Sequence, residues 1–337
     1  MTMADPATLI AVENLGVRLN TSRGPAQAVR GVSFALKRGE TLGLVGESGC
    51  GKSVTALSLM GLLPDSAVVS GSIKLDGNEL TRLPDADYCG LRGNRISMIF
   101  QEPMTALNPM HTIGHQVAEP LRRHQKYSAS QARREAIALL DRVGLPDPAK
   151  RIDAYPHQFS GGQRQRVTIA MALACEPDLL IADEPTTALD VTIQGQILDL
   201  IADLVEERGM SMILISHDLG VIAENVQRMM VMYGGTVVES GPTDEVFRRM
   251  GHPYTQGLFR ARPKLGARKG TRLTTIAGTV PELVDLPSGC TFSNRCPLVI
   301  DQCRAALPPM VDVGPGHGVR CIRTDVSMAE RVGALSA

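Results

Sequence analysis

The sequence predicts an α/β fold: a mainly parallel sheet covered by helices, a helical insertion, and a small irregular appendage at the C-terminal end. Three observations lead to this prediction. Short apolar strands alternate with amphipathic helices through the middle of the chain. A Gly-rich loop joins one of these strands to a helix. After about Gly251 the alternation ends, and Pro, Gly, Arg and Cys dominate.

Composition limits the classes of function. A chain of 337 residues is long enough for two domains, or for one large domain with an appendage. Its formal net charge of zero argues against a general nucleic-acid binder. The longest apolar runs have the length of a strand, whereas a membrane span needs about 18 apolar residues or more. Residues 1–9 also lack the basic and apolar regions of a signal peptide. We therefore expect a cytoplasmic protein that reaches a membrane only through a partner.

The N-terminal part of the chain predicts strands. The first forty residues alternate apolar and polar side chains around a turn-forming region at residues 21–25, which is typical of antiparallel strands. Residues 41–45 then form a short apolar segment, followed by the Gly-rich loop and by a helix starting near Lys52. This order of strand, loop and helix is typical of a nucleotide-binding α/β core.

Helical periodicity marks the next region, from about residue 101 to residue 159. The segment from Ser130 to Val143 predicts a helix that Ser130 caps and Gly144 ends. The α/β alternation then resumes, with a helix from Ser160, a strand at residues 179–182, a helix from Val191 and a strand at residues 212–215.

The Gly-rich loop matches the pattern G-x-x-x-x-G-K-S. Its glycines let backbone N–H groups turn toward phosphate oxygens, and the helix that follows adds a positive end. Lys52 is expected to neutralise the β- and γ-phosphates, and Ser53 to ligate Mg²⁺. A chance Gly-rich turn is the alternative. The predicted nucleotide-binding residues are Gly46, Glu47, Ser48, Gly49, Cys50, Gly51, Lys52 and Ser53.

Two acidic residues end the strand at residues 179–182. Asp183 is expected to hold Mg²⁺ through water, and Glu184 to polarise the water that attacks the nucleotide. The alternative is a strand with a solvated acidic end.

A second exposed helix N-terminus is predicted where Ser160 precedes two glycines. Two phosphate-binding segments in one chain are explained if two subunits associate head to tail and each pair of segments encloses one ATP. A plain helix cap is the alternative.

The segment around Ser160 resembles a known protein family. Residues 159–166 resemble the signature of ABC ATPases, with Phe159 where Leu is commoner, and the resemblance covers at least residues 9–251. It implies the P-loop NTPase fold of an ABC cassette: a RecA-like core, an antiparallel β subdomain and a helical subdomain at about residues 101–175. The residues expected to close over a partner's ATP are Ser160, Gly161, Gly162 and Gln163.

The same resemblance implies further site residues. Gln101 resembles the Q-loop glutamine, which senses Mg²⁺ and water, and Asp190 resembles the D-loop aspartate at the interface between subunits. His217 resembles the switch histidine that contacts the γ-phosphate. Many relatives place an aromatic residue against adenine where this chain has Leu19, so the adenine contact is not assigned.

Four segments resemble one branch of the family, the ATPases of dipeptide, oligopeptide and nickel importers. The resemblance implies a second, non-identical ATPase subunit, two permease subunits and a substrate-binding protein, at the cytoplasmic face of the inner membrane. Peptide cargo is favoured over nickel or another small solute. We expect an ABC domain at residues 1–250 and a branch-specific extension at residues 251–337. The segments are residues 101–109, 155–158, 182–192 and 252–255.

Four of the seven cysteines crowd the end of the chain. In a reducing compartment such a group binds metal more often than it forms disulfides. The branch resemblance implies a 4Fe–4S cluster; zinc and thiols without metal are the alternatives, and the lack of C-x-x-C pairs makes a zinc ribbon less natural. The expected ligands are Cys290, Cys296, Cys303 and Cys321.

Two rival functions remain. A soluble ABC ATPase of DNA repair or translation usually has a long coiled coil or two cassettes, and this sequence predicts neither. A regulatory subunit without catalysis would have degenerate site residues, whereas Glu184 and His217 are both present.

Overall fold

The computed structural model describes residues 7–187, 189–261 and 275–324. The chain divides into two compact units. The first contains residues 1–10, 36–41 and 75–214, and the second contains residues 11–35, 42–74 and 215–337.

The described residues form a mixture of strands and helices. The strands are β1 (Thr8–Thr21), β2 (Gly24–Lys37), β3 (Thr41–Val45), β4 (Val68–Leu75), β5 (Asn78–Glu79), β6 (Ile96–Ile99), β7 (Leu179–Asp183), β8 (Ser211–Ser216), β9 (Arg228–Tyr233), β10 (Thr236–Pro242), β11 (Val311–Gly314) and β12 (His317–Val319). The helices are α1 (Lys52–Leu59), α2 (Asp85–Leu91), α3 (Pro103–Ala106), α4 (Ile113–His124), α5 (Ala129–Arg142), α6 (Pro148–Arg151), α7 (Gly161–Leu173), α8 (Val191–Glu207), α9 (Leu219–Asn225), α10 (Thr243–Arg249), α11 (Pro253–Arg260) and α12 (Asp301–Ala305). Two 3₁₀ turns lie at Pro156–Gln158 and Leu283–Asp285.

In the first unit, helices pack against a pair of parallel strands. Strands β6 and β7 run parallel, with Ile96 opposite Leu179 and Ile99 opposite Ala182, and β8 lies beside β7. All residues of β7 are buried, as expected for a parallel strand covered on both faces. Helix α7 packs against β6, and helices α4 and α5 pack against α7. The predicted helical insertion is therefore present.

Helix α5 begins two residues earlier than the sequence analysis predicts. Its N-cap is Ser128, not Ser130: the Ser128 hydroxyl accepts a hydrogen bond from Gln131 N, and the Gln131 side chain accepts one from Ser128 N. A reciprocal pair of this kind needs Glu or Gln three residues after the cap. Ser128 has Gln131 at that position, whereas Ser130 has Arg133.

In the second unit the strands form two sheets. One has the order β2–β1–β4, and because only two residues join β1 to β2, these strands run antiparallel, as predicted. The other has the order β11–β12–β10–β9–β3, in which β3 runs parallel to β9 and β9 forms a hairpin with β10. Gly234 and Gly235 join the hairpin, both at positive φ (52° and 77°), as tight hairpin turns require.

The C-terminal appendage, which we call the tail (residues 251–324), is more regular than predicted. Strand β12 pairs antiparallel with β10, with Val319 opposite Glu239, and β11 pairs with β12. Inside this pairing the buried Glu239 contacts His317 Nε2 at 2.8 Å and accepts hydrogen bonds from Gly251 N and His252 N. Strands of three or four residues are too short for their alternation to show in a sequence.

Within the described ranges, no helix is long and apolar enough to cross a membrane.

Candidate functional site

The Gly-rich loop links β3 to α1 in the second unit. Gly46, Gly49 and Gly51 all have positive φ, at 154°, 79° and 102°. A Cβ atom at Gly46 would lie 2.3 Å from Met232 O, and one at Gly51 would lie 2.6 Å from Ala28 O. The loop conformation therefore requires glycine at these two positions for space as well as for backbone freedom.

Lys52 opens α1 and turns back onto the loop. Its side chain is buried, and Nζ donates hydrogen bonds to Gly46 O at 2.7 Å and to Glu47 O at 3.1 Å. Cys50, within the loop, is buried, and burial raises the pKa of its thiol. Ser53 lies in the first turn of α1 and is half-buried. A cation and a helix N-terminus thus meet at one end of a glycine loop, which is the composition of a phosphate site.

The predicted acidic residues follow β7 in the first unit. Asp183 is the last, buried residue of the strand, and Glu184 comes next with φ 44°. Gln101, which follows β6, donates a hydrogen bond from Nε2 to Glu184 Oε2 at 3.2 Å, and Thr187 Oγ1 donates to the same oxygen at 3.0 Å. The parallel pairing of β6 and β7 brings Gln101 and Glu184 together, because both follow carboxyl ends of adjacent strands.

The second helix N-terminus is also in the first unit. Ser160 caps α7: its hydroxyl accepts a hydrogen bond from Gln163 N, and Gln163 Oε1 accepts one from Ser160 N. A Cβ atom at Gly162 would lie 3.0 Å from Ile193 Cγ2, whereas one at Gly161 would be in ordinary contact with Leu189. The plain helix cap is thus present, and Ser160 and Gly161 are also exposed.

The two remaining site residues lie at element ends. Asp190 is the exposed N-cap residue of α8 in the first unit. Ala188, which begins the segment 188–190 that resembles the D-loop, lies outside the described residues. His217 is exposed and follows β8, in the second unit, and the next residue, Asp218, caps α9 through Gly220 N.

Comparison with known proteins places these residues in a family. A model described as "ABC transporter" matches residues 29–187. A putative peptide import ATP-binding protein of Brucella abortus is 51% identical over 94% of this chain and 97% of its own length. The chain belongs to the ABC transporter family. A second model, "Oligopeptide/dipeptide transporter, C-terminal region", matches residues 238–303 and so identifies the branch.

Further relatives agree with this membership. The dipeptide transport ATP-binding protein DppD of Bacillus subtilis is 51% identical over 93% of this chain and 94% of its own. The ATP-binding cassette MJ0796, solved as a dimer in a post-hydrolysis state with ADP and Pi, is 28% identical, with a TM-score of 0.62 over 70% of this chain and 99% of that one. The predicted cassette fold and the predicted ATPase class are confirmed.

Four cysteines belong to this ABC protein's tail, and two of them are linked by a backbone hydrogen bond. Cys290 N donates to Cys303 O at 2.7 Å, and Cys303 and Cys321 are buried. The pKa of the Cys290 thiol is raised to about 11 and that of the Cys296 thiol to about 12, mainly by burial and in smaller part by the neighbouring thiols. Among the described residues, however, no three or more His, Cys, Asp or Glu side chains form a group that could hold a metal ion. The side-chain geometry therefore does not support the predicted 4Fe–4S cluster.

Three residues that touch predicted site residues were missed at the sequence level. Thr187 contacts Glu184, and its only signal is its place three residues after that acid. Tyr254 and Arg295 contact Glu47 from the tail, more than 200 positions along the chain. No local pattern links such distant positions.

Proposed function

We propose that this chain is the ATP-hydrolysing subunit of a bacterial importer of di- or oligopeptides. The observation that carries the proposal is the 51% identity, over nearly the whole chain, to proteins named for peptide import. An intact glycine loop with Lys52, together with a Glu184 that Gln101 and Thr187 contact, supports an active ATPase rather than a degenerate regulatory subunit.

The proposed nucleotide-binding residues are those of the loop. The amides of residues 46–53 and the Lys52 ammonium bind the phosphates, because both present positive charge at the start of α1. Magnesium prefers oxygen ligands, and Ser53, Gln101 and Asp183 offer a hydroxyl, an amide carbonyl and a carboxylate. Since Gln101 Nε2 donates to Glu184, its carbonyl oxygen is the atom suited to the ion. Bound Mg²⁺ would supply charge neutralisation on the phosphates.

Hydrolysis is assigned to Glu184, Gln101 and His217. Glu184 accepts the proton of the attacking water, and the hydrogen bonds from Gln101 and Thr187 orient its carboxylate. His217 is proposed to contact the γ-phosphate.

A partner subunit completes the assembly. We infer that Ser160, Gly161, Gly162 and Gln163 close over ATP bound to a second, non-identical ATPase, with Asp190 at the interface. Two features support this: α7 presents an exposed N-terminus, and the related MJ0796 cassette was solved as a dimer. Two permease subunits and a substrate-binding protein complete the importer, so that this chain reaches the cytoplasmic face of the membrane only through the permeases. Nickel or another small solute is the alternative cargo.

The end of the chain is proposed to be an extension specific to this branch of importers. Residues 1–250 form the nucleotide-binding domain and residues 251–337 the branch-specific extension. The 4Fe–4S cluster on Cys290, Cys296, Cys303 and Cys321 stays a prediction, and it rests on the resemblance of these four residues to the cysteine motif of the branch.

The experiment that tests catalysis uses Glu184→Gln in the full-length chain, alone and assembled with its partners. The amide cannot accept a proton from water, so single-turnover hydrolysis should fall by about 10²–10⁴-fold while calorimetry shows unchanged ATP binding. Glu135→Gln, an exposed position on α5, is the matched control and should hydrolyse ATP normally. Undiminished hydrolysis by Glu184→Gln would reject the assignment.

A further inference from the structure

The tail contacts the phosphate-binding loop at its second residue, Glu47. Arg295 donates two hydrogen bonds to the Glu47 carboxylate, from Nη1 at 2.7 Å and from Nη2 at 3.1 Å. The Arg295 side chain is only 5% exposed. A paired, bidentate contact of this kind fixes the direction as well as the position of a carboxylate.

Glu47 is also held through its backbone. Its N–H donates a hydrogen bond to the hydroxyl of Tyr254, at 2.8 Å, and its carbonyl accepts one from Lys52 Nζ, at 3.1 Å. Three side chains therefore act on this one loop residue, and two of them, Tyr254 and Arg295, come from the tail.

The two tail residues are themselves rigidly placed. Tyr254 is fully buried and packs edge-on against Tyr233, with ring centroids 4.7 Å apart, and Phe292 contacts both rings at 5.1 and 5.3 Å. Arg295 Nε donates to Ala277 O at 2.9 Å, which holds the guanidinium from its other side. Buried aromatic packing and a satisfied guanidinium leave these groups little freedom to move.

A phosphate-binding loop benefits from such support. Glycine-rich segments lose more conformational entropy on ordering than any others, and this loop contains three glycines at positive φ. If the loop is already ordered before ATP arrives, binding does not have to supply that free energy. An ion pair that only attached the tail to the rest of the protein would not need to involve a residue of the loop.

We propose that Arg295 is a positioning residue for nucleotide binding: through Glu47 it holds the phosphate-binding loop in its binding conformation, so that the tail forms part of the nucleotide site. The inference rests on the proposed function, since it presumes that residues 46–53 bind ATP. Arg295 itself does not touch the nucleotide.

The test measures the dissociation constant of AMP-PNP with Mg²⁺ for the full-length chain. Arg295→Met should raise it by about 3- to 30-fold, the usual range for residues that act on a ligand through others. Arg295→Lys, which keeps the charge but loses the bidentate contact, should raise it less. The matched control is Arg23→Met, because Arg23 also pairs with the tail, at Glu282 and Asp285. Its side chain is half-exposed, and neither of its partners belongs to the loop. This variant should bind within about twofold of the wild type.

A double-mutant cycle separates positioning from general stability. If the pair acts as a unit, Glu47→Gln with Arg295→Met should bind no more weakly than the worse single variant. Exchange of the two charges, Glu47→Arg with Arg295→Glu, should recover part of the affinity that the single variants lose. If Arg295→Met does not fold, this exchange tests the pair in its place. Additive losses of affinity in the double variant would overturn this inference but leave the proposed function standing. The same holds if the Arg295 variants bind AMP-PNP like the wild type while Lys52→Ala does not bind it. A wild type without AMP-PNP binding would instead reject the proposed function.

Discussion

At the scale of single residues, one strained backbone position coincides with the proposed chemistry. Glu184 has φ 44°, a left-handed conformation that costs a residue with a Cβ about 1–2 kcal/mol. Two hydrogen bonds to its carboxylate, from Gln101 and Thr187, help to offset this cost. Strain of this kind persists where the surroundings fix it, and it commonly marks functional positions. The left-handed backbone therefore supports the catalytic role proposed for Glu184.

Gly46 and Gly49 allow a test of why the loop needs glycine. Both have positive φ, but a Cβ at Gly46 would lie 2.3 Å from Met232 O and 2.7 Å from Cys50 Sγ, whereas one at Gly49 would meet nothing within 4 Å. Gly49→Ala should therefore cost about 1–2 kcal/mol, from backbone strain alone. Gly46→Ala should cost about 2–4 kcal/mol, because collision adds to strain. Urea unfolding without nucleotide measures both; equal losses would show that space around Gly46 is unimportant.

At the scale of elements, charged side chains tie together the segments that carry the catalytic strands. Asp178 lies one residue before β7 and Arg95 one residue before β6, and they form an ion pair. Arg38 contacts Asp178 at 2.9 Å and also pairs with Asp76, which in turn pairs with Arg95. The network fixes where β6 and β7 begin, and hence the register that brings Gln101 beside Glu184.

This network predicts a pH dependence of stability. Burial disfavours the charged form of Asp178, but hydrogen bonds from Arg95 and Arg38 outweigh it and lower its pKa. A carboxyl whose pKa is lower in the folded state stabilises the fold above its unfolded value of about 4, and the contribution is lost as pH falls through the folded pKa. Asp178→Asn should therefore lower the unfolding free energy by about 1–2 kcal/mol at pH 7.

The measurement for Asp178 is urea unfolding of both proteins from pH 7 to pH 3. The difference between wild type and Asp178→Asn should stay constant down to about pH 5 and shrink below about pH 4. Asp141→Asn, at an exposed position on α5, is the control and should differ little from the wild type at any pH. A difference that persists unchanged at pH 3 would contradict the role of the ionised carboxylate.

At the scale of the whole molecule, the sequence predicts what is local and misses what is not. The glycine loop, the buried strand before Asp183 and the helix after Ser160 carry their signals within a few residues, and the structure has them at the predicted positions. The pairing of β12 with β10 joins positions about 80 residues apart, and the contact of Arg295 with Glu47 joins positions 248 apart. Such contacts depend on how the tail folds back, which no short pattern encodes.

Whether the tail cysteines bind metal depends on the fold of the whole tail, because the four thiols come from positions up to 31 residues apart, from 290 to 321. All seven cysteines are described, and none is in a disulfide. The branch resemblance predicts a 4Fe–4S cluster on these thiols, so protein purified without oxygen should contain about four irons per chain. Cys296→Ser should lose the iron, while Cys89→Ser, a cysteine on α2 far along the chain, should keep it.

Iron, sulfide and zinc analysis with an absorption spectrum measures the metal content of the wild type and of both variants. Zinc without iron would indicate a zinc site, and neither metal would leave the thiols as buried packing groups, in agreement with the lack of a preformed metal-binding group among the described side chains.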